Sequence, residues 1–274
     1  MKKRQIMRRA GTWVVGAALS VGLLVASSDV HAGPDGRAIM VKVAETRKLD
    51  KSEAVLKMSM INEKGESRDR SLTMASKLFD GGKTEKRIYR FQSPADVKGT
   101  GILVYDYDAQ ADDVWVFLPA LRKTRRIVSS QRSSSFMGSE FSYADLNIPS
   151  IDEYTYNVKG EENVGGEACH VIEVLPKSDD IAKSEGYKKK VYWVSKEKNA
   201  IRKGEFYDMG GKLLKELKAD NIQLLDPAKK RYRAMKMEMV NKQNGRRSVF
   251  QSEKVSVTGD TKDDLFTTRY LERT

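Results

Sequence analysis

The chain has 274 residues, 50 Lys and Arg against 38 Asp and Glu, a formal charge of +12, two histidines and one cysteine. A single cysteine excludes an intramolecular disulfide framework, and Cys169, His31 and His170 fall short of the four ligands of a structural zinc site. Such basicity points to nucleic acid in a cytoplasmic protein, but to anionic lipid, acidic carbohydrate or a membrane surface in an exported one.

The first residues read as a secretory signal peptide. Lys2, Lys3, Arg4, Arg8 and Arg9 form a positive n-region, Thr12 to Ala26 a small-and-apolar h-region, and Val30-His31-Ala32 an A-x-A-like cleavage site before Gly33. The apolar run is shorter than the roughly 20 residues of a membrane-spanning helix. No cysteine lies near the site to carry a lipid anchor. The expected organisation is a signal peptide over 1–32 and one domain over 33–274, exported to the periplasm. Cleavage removes five positive charges and Asp29, which lowers the formal charge from +12 to +8. Outside the cytoplasm no nucleic-acid partner is expected.

Asp35 can cap a helix running to about Leu49, with Ile39, Met40 and Val43 on one face. Strands and tight turns follow. Ala54, Leu56, Met58 and Met60 alternate with Val55, Lys57 and Ser59, and Asn62-Glu63-Lys64-Gly65 closes a hairpin onto a strand carrying Leu72, Met74 and Leu78. Further strands are expected at about 86–92, 101–107, 113–118, 122–128, 154–164, 168–175, 187–195, 200–207, 213–224, 231–240 and 246–257. Their short turns describe a large antiparallel meander. Two stretches break the period of two: 129–150, and the polar 178–186, which has room for one helical turn.

Methionine marks the apolar faces. Met58 and Met60 share a face of the first strand, Met74 lies on the second, and Met235, Met237 and Met239 share a face of a late strand. Ordinary core explains any one of them. Together they also suit a greasy, adaptable lining for acyl chains, where burying about ten methylenes would yield roughly 8 kcal/mol before ordering costs.

The densest signal is central. Trp115 and Phe117 sit on an aromatic strand that runs through Pro119 into Arg122, Lys123, Arg125, Arg126 and Arg132. Alternation puts charge on both faces there, as on an exposed edge or rim. Such an edge resists aggregation, and its guanidinium forks also suit lipid phosphate or an acidic partner. The loop that follows carries Phe136, Met137, Phe141 and Tyr143 around Gly138, and reads either as a lid or as a loop tucked into the core.

Hydrolytic chemistry finds little support. His170 lies mid-strand, Cys169 reads as a small buried hydrophobe, and no Gly-x-Ser-x-Gly nucleophile elbow occurs. Asp106, Asp108, Asp112 and Asp113 offer oxygen ligands for weak calcium binding but lack EF-hand spacing, so a solvated hairpin end is expected. No Gly-rich phosphate loop precedes a helix. No catalytic residue, metal or cofactor is expected.

The segments Trp115 to Lys123, Arg125-Arg126-Ile127, Ser135 to Leu146, Gly166 to Glu173 and Leu265-Phe266-Thr267 resemble the outer-membrane lipoprotein-sorting protein family, relatives of the periplasmic lipoprotein carrier LolA. The resemblance spans essentially all of 33–274, and its central motif is the specific part. It implies a mainly β fold: a strongly curved antiparallel sheet, an open half-barrel closed by a helix and loop lid. It also implies lipid or acyl-chain binding in an apolar cavity, without enzymatic activity. Members of this branch often accompany exporters of the resistance-nodulation-division type. Lipoprotein, phospholipid, sterol-like and hopanoid cargoes all stay open.

On this reading Met58, Met60, Met74, Trp115, Phe117, Phe136, Met137, Phe141, Tyr143, Met235, Met237 and Met239 form the cavity wall and lid. Arg122, Lys123, Arg125 and Arg126 meet a head group or a partner. The leading expectation is a carrier of lipid or lipoprotein that touches the membrane transiently. The alternative is an envelope sensor or adaptor that binds a lipoprotein or an exporter.

Overall fold

The computed structural model describes residues 34–147 and 150–273, so the expected signal peptide lies outside the described residues. Asp35 caps α1 (Gly36–Arg47), its carboxylate accepting from the Arg37 amide at 2.9 Å. Ile39, Met40 and Val43 are buried, as their spacing predicts. The polar stretch 178–186 is also helical: Ser178 caps the short α2 (Asp179–Glu185), and Gly186 ends it at φ +80°.

Among the described residues there are thirteen strands in one antiparallel sheet. The first meander comprises β1 (Lys51–Ile61), β2 (Ser67–Phe79), β3 (Thr84–Ser93), β4 (Gly101–Tyr107), β5 (Asp113–Leu118) and β6 (Lys123–Arg126). The second comprises β7 (Tyr154–Val164), β8 (Glu167–Pro176), β9 (Lys189–Ser195), β10 (Ile201–Tyr207), β11 (Leu213–Asp226), β12 (Arg231–Asn241) and β13 (Arg247–Ser256).

The two meanders join through β1 and β13, where Met58 pairs with Phe250 and Ile61 with Arg247. The sheet is thus not the single sequential meander that the strand succession predicts. Hairpin turns specify neighbours in sequence, whereas the β1–β13 seam is fixed by burial of faces far apart in the chain. β6 and β7 become the two edges.

The sheet curls. Tyr89 on β3 and Tyr192 on β9 line the same cavity although seven strand steps separate them. At about 4.8 Å per step a flat sheet would hold them roughly 34 Å apart. The concave face carries the main core, which includes Leu56, Met58, Leu72, Phe91, Ile102, Val104, Ile172, Val194, Phe206 and Met239. α1 packs over this face against β7 and β12. Gly36 permits the approach: a Cβ there would sit 2.8 Å from the Tyr156 carbonyl oxygen.

The convex face has its own smaller core of Ile88, Leu103, Phe117, Phe266 and Leu271. The C-terminal turn Asp263–Phe266 and α3 (Thr268–Leu271) cover it. Here too a glycine sets the distance, since a Cβ on Gly101 would lie 2.6 Å from Leu271 Cδ1.

Candidate functional site: a cavity under a crossing segment

The chain that links edge β6 to edge β7 crosses the concave face. Its central part, Ser133 to Leu146, folds on itself: the Phe136 amide donates to the Phe141 carbonyl at 2.7 Å, and Ser135 bridges to Ser142. Met137 and Gly138, both at positive φ, make the turn between them. Phe136 is fully buried, with the rings of Tyr143, Phe250, Tyr89 and Phe91 at 5.7, 6.0, 6.3 and 6.4 Å. Phe141 stacks edge-on to Phe250 at 4.9 Å.

Polar contacts hold the rim of this segment. Arg70 donates to the Met137 carbonyl, the Glu140 amide donates to Ser248 Oγ at 3.0 Å, and Asn241 donates to the Glu140 carboxylate at 2.9 Å. At its far end the Asp145 carboxylate accepts from Tyr187 Oη at 3.0 Å and lies 3.7 Å from Lys215 Nζ. The segment is therefore tucked into the core, and from there its Phe136 and Phe141 cover part of the concave face.

Beneath it and α1 lies a cavity of about 270 Å³. That is nearly twice the roughly 150 Å³ apolar cavity known to admit a benzene molecule. Its greasy wall includes Met40, Val43, Leu56, Met74, Phe136, Phe141, Leu217, Met235, Met237, Met239 and Phe250. Strand pairing explains the grouping: Ala54 faces Met74, Leu217 faces Met239, Ala219 faces Met237, and Met237 faces Phe250. Met237 is 37% exposed and marks the mouth, while Met239 is buried.

Of the residues singled out in the sequence, Met74, Phe136, Phe141, Met235, Met237 and Met239 come together at this cavity. Met58, Met60, Met137 and Tyr143 pack into the same concave core beside it without lining it. Trp115 and Phe117 are a correction. They pack on the convex face with Leu103, Phe266 and Tyr105, whose ring centroid is 4.9 Å from that of Trp115. The cause is parity, because it is Val114 and Val116 on β5 that face Val104 and Ile102 in the concave core.

Arg122, Lys123, Arg125 and Arg126 are exposed at edge β6, and none lines the cavity. Arg122 turns the chain at φ +46°, and Arg126 pairs with Asp113. His170 sits on β8 with Nδ1 3.5 Å from Glu161, also away from the cavity wall.

One end of the cavity is charged, which the sequence reading did not anticipate. Arg47, Arg87 and Arg233 line it. Arg87 is buried between Glu85 at 3.5 Å and Asp106 at 2.9 Å, and donates to Asn147 of the crossing segment. Arg233 donates to Glu85 at 3.2 Å. Burial pushes the Glu85 carboxyl up, but Arg87, Arg233 and Arg47 more than offset this and hold it below the ordinary glutamate range. Asp106 goes the other way. Burial, opposed by Arg87 but aided by Asp112 and Glu85, raises it to about 7.

Asp112 accepts from Asn147 at 2.6 Å and pairs with Arg132 at 3.3 Å. Asp106 and Asp112 are thus part of a buried network rather than a solvated hairpin end. The available signal was Arg87-x-Tyr89-x-Phe91, which puts a guanidinium on the apolar parity of its strand. A second buried pair, Lys190 with Glu185 of α2 at 2.5 Å, closes the cavity near Tyr154 and Tyr192.

A family model described only as "Uncharacterized protein" matches residues 83–273. Among curated proteins none matches the chain. Among solved structures, an outer membrane lipoprotein-sorting protein domain from Vibrio parahaemolyticus is 33% identical, with a TM-score of 0.78 over 87% of this chain and 98% of that one. A DUF1329 family protein from Desulfovibrio piger is 31% identical, with a TM-score of 0.78 over 86% of this chain and 97% of that one. A LolA superfamily protein from Nitrosomonas europaea, 21% identical over 86% of this chain and 99% of that one, shares the fold at a TM-score of 0.64. The chain belongs to the outer-membrane lipoprotein-sorting protein family, on a LolA-like sheet that curls without closing.

Proposed function

We propose that this protein is a periplasmic carrier that shields lipid or acyl chains in the concave cavity and passes them between membranes, or to or from an exporter, without catalysing a reaction. The observation that carries this reading is the methionine-rich cavity beneath the crossing segment. Methionine adapts to varied tails, and each buried methylene contributes about 0.8 kcal/mol. Transfer is then a partition, in which tails leave when the receiver offers equal or better burial. The family relationship supports the same reading, since the Vibrio parahaemolyticus relative is designated a lipoprotein-sorting domain.

The remaining parts fit around this core. Residues 1–32 serve as the cleaved signal peptide and 33–274 as the single carrier domain. The segment Ser133 to Leu146 acts as the lid. The exposed cations Arg122, Lys123, Arg125 and Arg126 touch the anionic membrane surface or a partner such as a resistance-nodulation-division exporter. Leu121 and Val128, 59% and 51% exposed at either end of β6, add apolar contact beside that charge.

The test is native mass spectrometry of the protein purified from its own envelope, with lipid extraction of the same sample. A discrete added mass that proves to be a lipid is the expected result. A bare protein mass that persists after incubation with membrane extract would refute the carrier reading and favour a sensor or adaptor.

A further inference from the structure

The charged end of the cavity holds more positive charge than its own acids balance. Glu85 is shared by Arg87 and Arg233, Asp106 is taken by Arg87, and Asp112 by Arg132. Arg47, the last residue of α1, has no ion pair or hydrogen-bond acceptor among the described residues, yet it lines the cavity beside Arg87 and Arg233. It also borders a second, more polar cleft of about 280 Å³ shared with Lys48, Glu85 and Asp106.

Burial lowers the Arg47 guanidinium to about 10, with Arg87 and Arg233 adding to the effect, so it remains charged at neutral pH. Arg47 is half-buried, and Glu85 and Asp106 act on it without a direct pair, so its fork is free to take a ligand. A guanidinium fork offers paired donors that match the oxygens of a carboxylate or phosphate.

We propose that the cargo is a lipid with an oxyanion head, a carboxylate or phosphate, whose oxygens Arg47 receives at this end of the cavity while the tail lies along Met74, Met235 and Met239. This rests on the carrier reading and deepens it: head-group recognition sits inside the cavity, and the exposed cations of β6 play no part in it. A neutral head would leave the Arg47 fork without a direct partner, so the site discriminates by charge as well as by tail.

The test is displacement of the neutral fluorophore N-phenyl-1-naphthylamine from the purified protein by decyl phosphate, decan-1-ol and inorganic phosphate. Decyl phosphate should bind at least about tenfold more tightly than decan-1-ol, the size of one charge-assisted hydrogen bond. In Arg47→Gln this ratio should fall close to one with decan-1-ol unchanged, and Arg47→Lys should keep part of it. Equal binding of the two amphiphiles by the unmodified protein, a comparison that needs no variant, would overturn the head-group proposal and leave the carrier reading standing. A preference that survives both substitutions would overturn it as well. So would inorganic phosphate competing as tightly as decyl phosphate, which would mark a free-anion site. If the fluorophore binds and none of the three displaces it, or if it does not bind and calorimetry detects neither amphiphile, the carrier reading fails and the proposal falls with it.

Discussion

Replacing Phe136 by Ala should loosen the crossing segment while leaving the sheet intact. The ring is fully buried among Tyr89, Phe91, Tyr143 and Phe250. A buried aromatic covers about 150–250 Å², which at about 25 cal/mol per Å² is roughly 4–6 kcal/mol. Measured Phe→Ala losses of about 3–5 kcal/mol agree. The sheet's pairing ladder does not pass through residues 133–146. The loss should therefore appear as local opening, because those amides can separate from the core without breaking a strand pair. At 1.4 kcal/mol per factor of ten, 4 kcal/mol corresponds to roughly a thousandfold faster exchange. Hydrogen exchange read by mass spectrometry should show peptides spanning 133–146 losing protection, with β1, β12 and β13 unchanged. Uniform loss across every strand would refute the idea that the segment opens on its own.

Three further predictions concern faces and charges. Met237→Glu, at the cavity mouth, should abolish lipid retention with an unchanged circular dichroism spectrum, whereas Trp115→Ala, on the convex face, should leave retention intact; equal loss in both would contradict the face assignment. Asp106→Asn tests the buried network. A carboxyl raised to about 7 in the fold from an ordinary value near 3.8 costs stability as pH climbs between those values, so the variant should gain thermal stability at pH 8 and little at pH 4; a larger gain at pH 4 would reverse the argument. Arg87→Met should lose about 3–5 kcal/mol by stranding Glu85 and Asp106, and adding Glu85→Gln should restore part of it in urea titrations; strict additivity would mean that the two groups do not interact.

Much of the fold was legible because hairpin turns and period-two alternation are local. The turn at Asn62 to Gly65, the strands at Gly101–Tyr107, Asp113–Leu118 and Tyr154–Val164, and the helix after Asp35 lie where the sequence places them. The β1–β13 seam was not legible, since it joins residues about two hundred apart and no local pattern encodes it. Parity on β5 was ambiguous for a different reason. Val114, Trp115, Val116 and Phe117 are all apolar, because a strand covered on both faces shows no alternation. The Met235, Met237 and Met239 face was readable because Lys236 and Glu238 mark the opposite side. The charged end of the cavity escaped notice because its members come from α1, β3 and β12, and a lone arginine on a strand ordinarily reads as solvated.

If acyl tails occupy the concave cavity, photo-crosslinking locates them there directly. An alkyl phosphate carrying a diazirine near the chain end, loaded into the protein and irradiated, should label peptides containing Met74, Met235 to Met239 and Phe250. Labelling confined to Trp115, Phe117 and the C-terminal turn would place the lipid on the convex face and rule out the concave cavity as its site.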